Sequence, residues 1–197
     1  SLRMPAALCG IVGYRPSVGV IAHPTRPLGW SGISVLGPMA RTIDDLTLML
    51  EVCRGHDLDD PLSAPVQARF DDLPDLPLQG LRVGYSEDFG GAPVDPAIRE
   101  IFRARVGTLR PHVKECRPVD LNLGDMDRCF DILRAESFAV AFGAGVQEDP
   151  DSFGPHIKEN VALGQTMSLA DRGWAHNEQT RILRRFNALM REVDVIV

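Results

Sequence analysis

Hydrophobic and polar positions fall into helical and strand periods from the first residues onward. The opening 16 residues are dense in small and apolar side chains. Pro5-Ala-Ala-Leu8 predicts a short helix, since proline is tolerated in a first turn. Cys9-Gly-Ile-Val-Gly-Tyr14 predicts a buried strand ended by Arg15-Pro16. Residues 17–38 carry breaks at Pro24, Pro27, Gly29 and Gly37-Pro38 and no sustained period, which predicts one long loop. Such loops in compact domains are usually functional or mobile. A helix is expected over 42–54. Thr42 is its N-cap, with Asp44 and Asp45 in the first turn, where the helix dipole favours anions. Ile43, Leu46, Thr47, Leu50 and Cys53 form its buried face, and Gly55 stops it. Residues 56–80, rich in Asp and Pro, read as a linker.

The pattern over 81–197 alternates. Gly80-Leu-Arg-Val-Gly-Tyr85 predicts a strand. Asp95-Pro96 is an N-cap followed by an N1 proline, and Ile98, Ile101, Phe102, Arg105 and Leu109 continue as an amphipathic helix. His112-Val-Lys-Glu-Cys116 predicts a short strand. This strand–helix–strand order is a βαβ-like unit and defines an α/β class. A long helix is expected from 125 to 143, ended at Gly143-Ala-Gly145. Ser168 with Asp171 reads as a capping box opening a helix to about Arg191. Asp194-Val-Ile-Val197 reads as an interior strand.

Composition narrows the function. The 197 residues hold 21 Lys+Arg against 27 Asp+Glu, a formal net charge of −6. Phosphate binding wants a basic face, so nucleic acid is not expected as a direct partner. A chain of this size buries roughly 70% of its unfolded surface, enough for a core without staples. No apolar run approaches the ~18 residues of a membrane span, and no signal peptide is visible. Cys9, Cys53, Cys116 and Cys129 lack the spacing of a redox or zinc motif and read as free, buried thiols. These features together place the expected location in the cytoplasm.

Candidate chemistry is sparse. His23, His56, His112, His156 and His176 are scattered and read as surface or loop residues, so no metal site is expected. Asp44-Asp45, Asp59-Asp60 and Asp71-Asp72 read as solvated pairs, because adjacent helix residues do not face each other and the other two pairs lie in loops. A dinucleotide fold after Leu81-Arg-Val-Gly84 is rejected: the glycine spacing is wrong, and Glu87-Asp88 would repel a pyrophosphate. Trp30, Phe138, Phe142 and Trp174 are candidates to line a substrate cavity, but aromatics at such positions are more often core, and no pocket is assigned to them.

The N-terminal run is the informative one. Ser1-Leu-Arg-Met-Pro-Ala-Ala-Leu-Cys-Gly-Ile-Val-Gly-Tyr-Arg-Pro16 resembles the segment of the amidase signature family that carries the nucleophilic serine. Gly37-Pro-Met-Ala-Arg-Thr-Ile-Asp-Asp-Leu-Thr-Leu-Met-Leu50 resembles a second family segment. Gly55-His-Asp, Asp60-Pro-Leu-Ser63, Leu81-Arg-Val-Gly84, Gly164-x-x-x-Ser168 and Val193-Asp-Val-Ile-Val197 follow in the family's order. Arg15 stands where the family usually has Lys.

The resemblance implies a layered α/β/α fold around a mixed central sheet, present here in part. It implies one domain over 1–197 that is a fragment of a larger amidase domain: nucleophile segment 1–16, loop 17–38, helix 42–54, linker 56–80 and an α/β remainder 81–197. By position Ser1 matches the nucleophile of a Ser, cis-Ser, Lys triad. The family's Lys and cis-Ser lie upstream of the nucleophile, and Lys114 and Lys158 match neither context. The implied activity is hydrolysis of a C–N amide bond through an acyl-serine, with these residues alone inactive. No metal or organic cofactor is implied. Arg3 reads as a structural ion-pair partner, and Cys9 as a small core residue.

Two other readings stand beside the hydrolase. One is the glutamine amidotransferase subunit of tRNA-dependent amidation, which requires partner subunits. The other is a non-catalytic scaffold that retains the fold. The expected partners are a small-molecule amide substrate, with either a second copy of the chain or amidotransferase subunits.

Overall fold

A computed structural model describes residues 2–65, 69–70 and 76–197. The chain divides into two compact units, Ser1–Pro74 with Ser137–Val161, and Asp75–Glu136 with Ala162–Val197.

In the first unit, α1 spans Arg3–Cys9 and ends at Gly10 in the left-handed region, whose N–H reaches Ala6 and Ala7 carbonyls. The chain then enters β1 (Val12–Gly13), which pairs antiparallel with β2 (Met39–Ala40) in the register Val12↔Ala40 and Gly13↔Met39. The predicted strand over 9–14 is therefore shorter. Its first residue belongs to the helix, because the αL turn at Gly10 falls one residue later than the pattern indicates. Helix α2 (Ile43–Cys53) starts as read, with the Thr42 hydroxyl accepting the Asp45 N–H at 3.1 Å. Leu46 and Leu50 are buried on it, but Ile43 is 61% exposed and Cys53 is exposed too. The buried stripe is thus narrower than the five-residue face that spacing predicts. Leu48, Met49 and Val52 are exposed on the same helix.

Further along, α4 (Met126–Glu148) runs through Gly143 and Gly145 rather than stopping there. A Cβ at Gly145 would lie 2.8 Å from the Phe153 ring, so this glycine is a packing notch and not a helix stop. Phe138, Phe142 and Phe153 make a chain of ring contacts, with centroids 5.3 and 6.3 Å apart. Helix α5 (Pro155–Thr166) follows and buries Val161.

The second unit holds a three-stranded parallel sheet in the order β4-β3-β5, formed by β3 (Arg82–Tyr85), β4 (Glu115–Pro118) and β5 (Val195–Ile196). Helix α3 (Pro96–Leu109) connects β3 to β4, with the Asp95 carboxylate capping the Ala97 N–H at 2.8 Å. This is the predicted βαβ unit, and the α/β class stands. The β4 strand lies three residues later than its pattern starts, because a 3-10 turn over Arg110–His112 takes up the first part of that run. Helix α6 (Leu169–Leu189) opens with the predicted Ser168–Asp171 capping box. The buried residues here include Val83, Val106, Ile132, Leu133, Ala175 and Val193. None of the helices is long and apolar enough to cross a membrane, among the described residues.

An ionic clip joins β3 to the segment entering β5. Arg82 donates to Asp194 from its guanidinium at 2.6 and 3.2 Å and from its backbone N–H at 2.8 Å. These bonds hold the Asp194 carboxyl at about 2, below the ordinary 3.8. The folded carboxyl therefore gives up its proton more readily than the unfolded one. The clip is at full strength above pH about 4 and is lost as pH falls toward 2. We expect Tm to fall over that window, and to fall less in Asp194→Asn, as read by thermal denaturation at pH 7, 4, 3 and 2.

Candidate active site

Position 1, the expected nucleophile Ser1, lies outside the described residues. Its chain neighbour Leu2 is described, and what surrounds it is informative. The Leu2 carbonyl accepts the Ala6 N–H at 3.2 Å and so starts α1. Two glycines close on the same residue. A Cβ at Gly13 would lie 2.8 Å from the Ala6 Cβ and 3.0 Å from the Leu2 oxygen. A Cβ at Gly37 would lie 2.1 Å from the Tyr14 carbonyl oxygen and 2.7 Å from Leu2 Cδ1. A side chain at Gly13 would push Ala6 and crowd the Leu2 carbonyl, and one at Gly37 would collide with the Tyr14 backbone and the Leu2 side chain. The β1–β2 pair, extended by the Tyr14 N–H to the Pro38 carbonyl at 3.0 Å, brings these glycines together from segments 24 residues apart in sequence.

The loop over 17–38 is anchored by a buried carboxylate. Asp60 is 1% exposed. It accepts the His23 N–H at 2.9 Å, the Leu62 N–H at 3.0 Å and a guanidinium N–H of buried Arg26 at 3.4 Å. The His23 N–H does most to hold the Asp60 carboxyl below its ordinary range. Burial opposes it, and the Leu62 N–H and Arg26 add to the lowering. The reading of Asp59-Asp60 as a solvated pair is thus corrected for Asp60. Two backbone donors and an arginine give it the partners that a buried carboxylate requires. The signal available in the sequence was the Asp60-Pro-Leu-Ser63 turn, in which the Asp side chain can cap its own backbone.

Beyond this anchor the loop returns as Ile33–Val35. With Leu2, Arg3 and Arg15, these residues enclose a cavity of about 210 Å³. Neither lysine of the chain lines it. Arg3, expected in a structural ion pair, has no such partner among the described residues, and the same holds for Arg15.

The remaining sequence candidates sort differently. All four cysteines are free, but only Cys129 is buried: Cys9 and Cys53 are exposed and Cys116 is intermediate. Cys9 ends α1 and is exposed, which corrects its reading as a core residue. Burial raises the Cys129 thiol pKa, and its Sγ–H donates to the Ala175 carbonyl, so it is an inert structural thiol. Trp30 is 80% exposed and not core. Trp174 is partly buried and stacks under the Arg128 guanidinium at 4.2 Å. Among the described residues no group of three or more His, Cys, Asp or Glu is placed to hold a metal ion. A second cavity, about 630 Å³, lies against the start of α4, with Asp125, Asp127, Asp131 and Asp171 around Arg128. Its described lining holds the Thr166 hydroxyl and these carboxylates but no Ser, Cys, Lys or His, so no hydroxyl there has a lysine or histidine base beside it.

Arrangement and pattern together define an α/β chain whose glycine-rich first segment locks the backbone beside position 1. A model of the amidase family matches residues 1–197, and the chain belongs to that family. It is 27% identical over its full length to the A-type subunit of the glutamyl-tRNA(Gln) amidotransferase of Chloroflexus aurantiacus, covering 45% of that protein. It is 29% identical over its full length to the protein of the same name from Salinispora arenicola, covering 47% of it. The chain thus spans about half the length of the curated relatives it matches. Among solved structures, a bacterial aryl acylamidase of the amidase signature family superposes with a TM-score of 0.81 at 24% identity, over 98% of this chain and 42% of that one. The A-type subunit of the glutamyl-tRNA(Gln) amidotransferase from Thermotoga maritima superposes at 0.66 and 19% identity, over 100% of this chain and 43% of that one. These superpositions show a shared fold.

Proposed function

We propose that the intact protein carrying this chain hydrolyses a C–N amide bond through an acyl-serine, with Ser1 as the nucleophile. The carrying observation is the convergence of Gly13 and Gly37 on Leu2. The two segments that resemble the family pack against each other at the residue next to Ser1, as a rigid nucleophile turn requires.

In this reading the Ser1 hydroxyl oxygen attacks the amide carbonyl carbon. Its proton passes through the family's cis-serine to a neutral lysine, both supplied from outside these 197 residues. Backbone N–H groups stabilise the oxyanion, a contribution of several kcal/mol. The C–N bond breaks, and the leaving amine takes the proton back. Water then attacks the acyl ester and regenerates the hydroxyl. The proposed substrate is a small linear amide, and the proposed location is the cytoplasm. The 197 residues are proposed as one portion of a larger amidase domain.

A serine hydroxyl without its activating base is a weak nucleophile at neutral pH. The 197 residues alone are therefore expected to show no serine-dependent turnover of aryl or aliphatic amides. Turnover by the isolated chain that disappears in Ser1→Ala would contradict the division of labour proposed here.

The relatives' shared name favours a second reading, in which the protein is an amidotransferase subunit that works with partner subunits. Glutaminase assays of the intact protein with and without those subunits separate the two. Release of ammonia from glutamine that requires the partners favours the amidotransferase, and partner-independent turnover of simple amides favours the hydrolase.

A further inference from the structure

Many arginines of this chain that the structure describes meet a carboxylate: Arg26 with Asp60, Arg82 with Asp194, Arg99 and Arg103 with Glu87, and Arg117 with Glu192. Arg3 and Arg15 do not. Both are exposed, both line the cavity of about 210 Å³, and neither is paired with a described residue. The other lining residues are Leu2, Ile33, Ser34 and Val35, so no carboxylate among the described residues lines this cavity. In a chain of net charge −6, two guanidiniums without a described carboxylate partner on one small cavity concentrate positive potential there. A guanidinium offers a rigid fork of donors that matches the two oxygens of a carboxylate. Leu2, Ile33, Ser34 and Val35 complete a lining that is more polar than apolar. The volume equals roughly seven waters at ~30 Å³ each, which suits a short-chain acid and is too small for a nucleotide.

We propose that this cavity is a carboxylate-binding site, with Arg3 and Arg15 as its two anchors and room for a short acid between them. The site goes beyond the amidase reading and does not depend on it, since it involves no reaction. The carboxylate can come from a free short-chain acid or from an Asp or Glu side chain of the protein itself, and the test has an arm for each source.

The test is calorimetric titration of the intact protein at low ionic strength with glutarate and with the neutral control 1,5-pentanediol. It is run on the parent, Arg3→Gln, Arg15→Gln and Arg15→Lys. A free acid as the ligand predicts saturable glutarate binding, none of the diol, and at least about tenfold weaker binding in each Gln variant, or ~1.4 kcal/mol. Arg15→Lys keeps the charge and the fold while losing the fork, and is expected to fall between. If a carboxylate of the protein already fills the cavity, glutarate does not bind. Each Gln variant then lowers Tm in 20 mM salt, with the difference shrinking in 1 M salt. Glutarate binding that all variants retain overturns the proposal. So does the absence of glutarate binding together with an unchanged Tm in both Gln variants. Amide turnover is not a readout, so failure of the amidase reading leaves this result interpretable.

Discussion

Ser1→Ala in the intact protein is expected to lower kcat for amide hydrolysis by at least about 10⁴-fold, with KM changed far less. The reason lies in what the hydroxyl does. In the proposed mechanism it makes and breaks a covalent bond in the transition state and contributes little to holding the ground-state amide, so its removal would act on kcat. The residual rate comes from the oxyanion donors and from substrate positioning, which survive the substitution. Steady-state kinetics on aryl and aliphatic amides measure this, with a thermal melt alongside to separate lost chemistry from lost fold. A drop of tenfold or less with an unchanged melt would mean that another group attacks the amide. The prediction is tied to the structure through Leu2, whose carbonyl begins α1 and whose side chain sits against Gly37.

Gly37→Ala is expected to cost about 3 kcal/mol of stability, the upper part of the range for forcing extra volume into a packed site. The added methyl would stand 2.1 Å from the Tyr14 carbonyl oxygen, which is backbone and cannot rotate away. Relief requires the backbones carrying Tyr14 and Gly37 to separate, which the bond from the Tyr14 N–H to the Pro38 carbonyl opposes, and the Leu2 side chain to shift as well. Activity is expected to fall further than stability explains, because a shift of about 1 Å beside a nucleophile can lower the rate ~10²-fold. Gly55→Ala provides the control, since its added Cβ meets nothing within 4 Å. Chemical denaturation of both variants measures the stability difference, and kcat measured well below the transition gives the second effect. Equal stability of the two variants would remove the close approach of the two segments from the account.

How far the sequence foretold this molecule depended on whether a feature was local. The caps at Thr42, Asp95 and Ser168 were legible because a cap is made by a side chain and a backbone N–H two or three residues away. The β3–α3–β4 unit was legible for the same reason, as a change of period within some 35 residues. What escaped depended on distant contacts. Gly145 reads as a stop until Phe153 is seen against it, and Asp60 reads as a solvated turn until His23 and Arg26 are folded onto it. Ile43 has the right spacing for the core face of α2, yet its neighbours leave it exposed. Of the candidate site, the segment was legible through its likeness to a family. The cavity formed by Arg3, Arg15 and the returning loop was not, because no local rule sets where residues 33–35 come to rest.

The most direct test of the central claim is covalent trapping. The intact protein is treated with a serine-reactive fluorophosphonate, digested, and mapped by tandem mass spectrometry. The account predicts a single phosphonyl adduct on the peptide that contains Ser1, absent from Ser1→Ala and suppressed by an amide that the enzyme turns over. An adduct on any other residue, or full amide turnover with Ser1 unmodified, would contradict it.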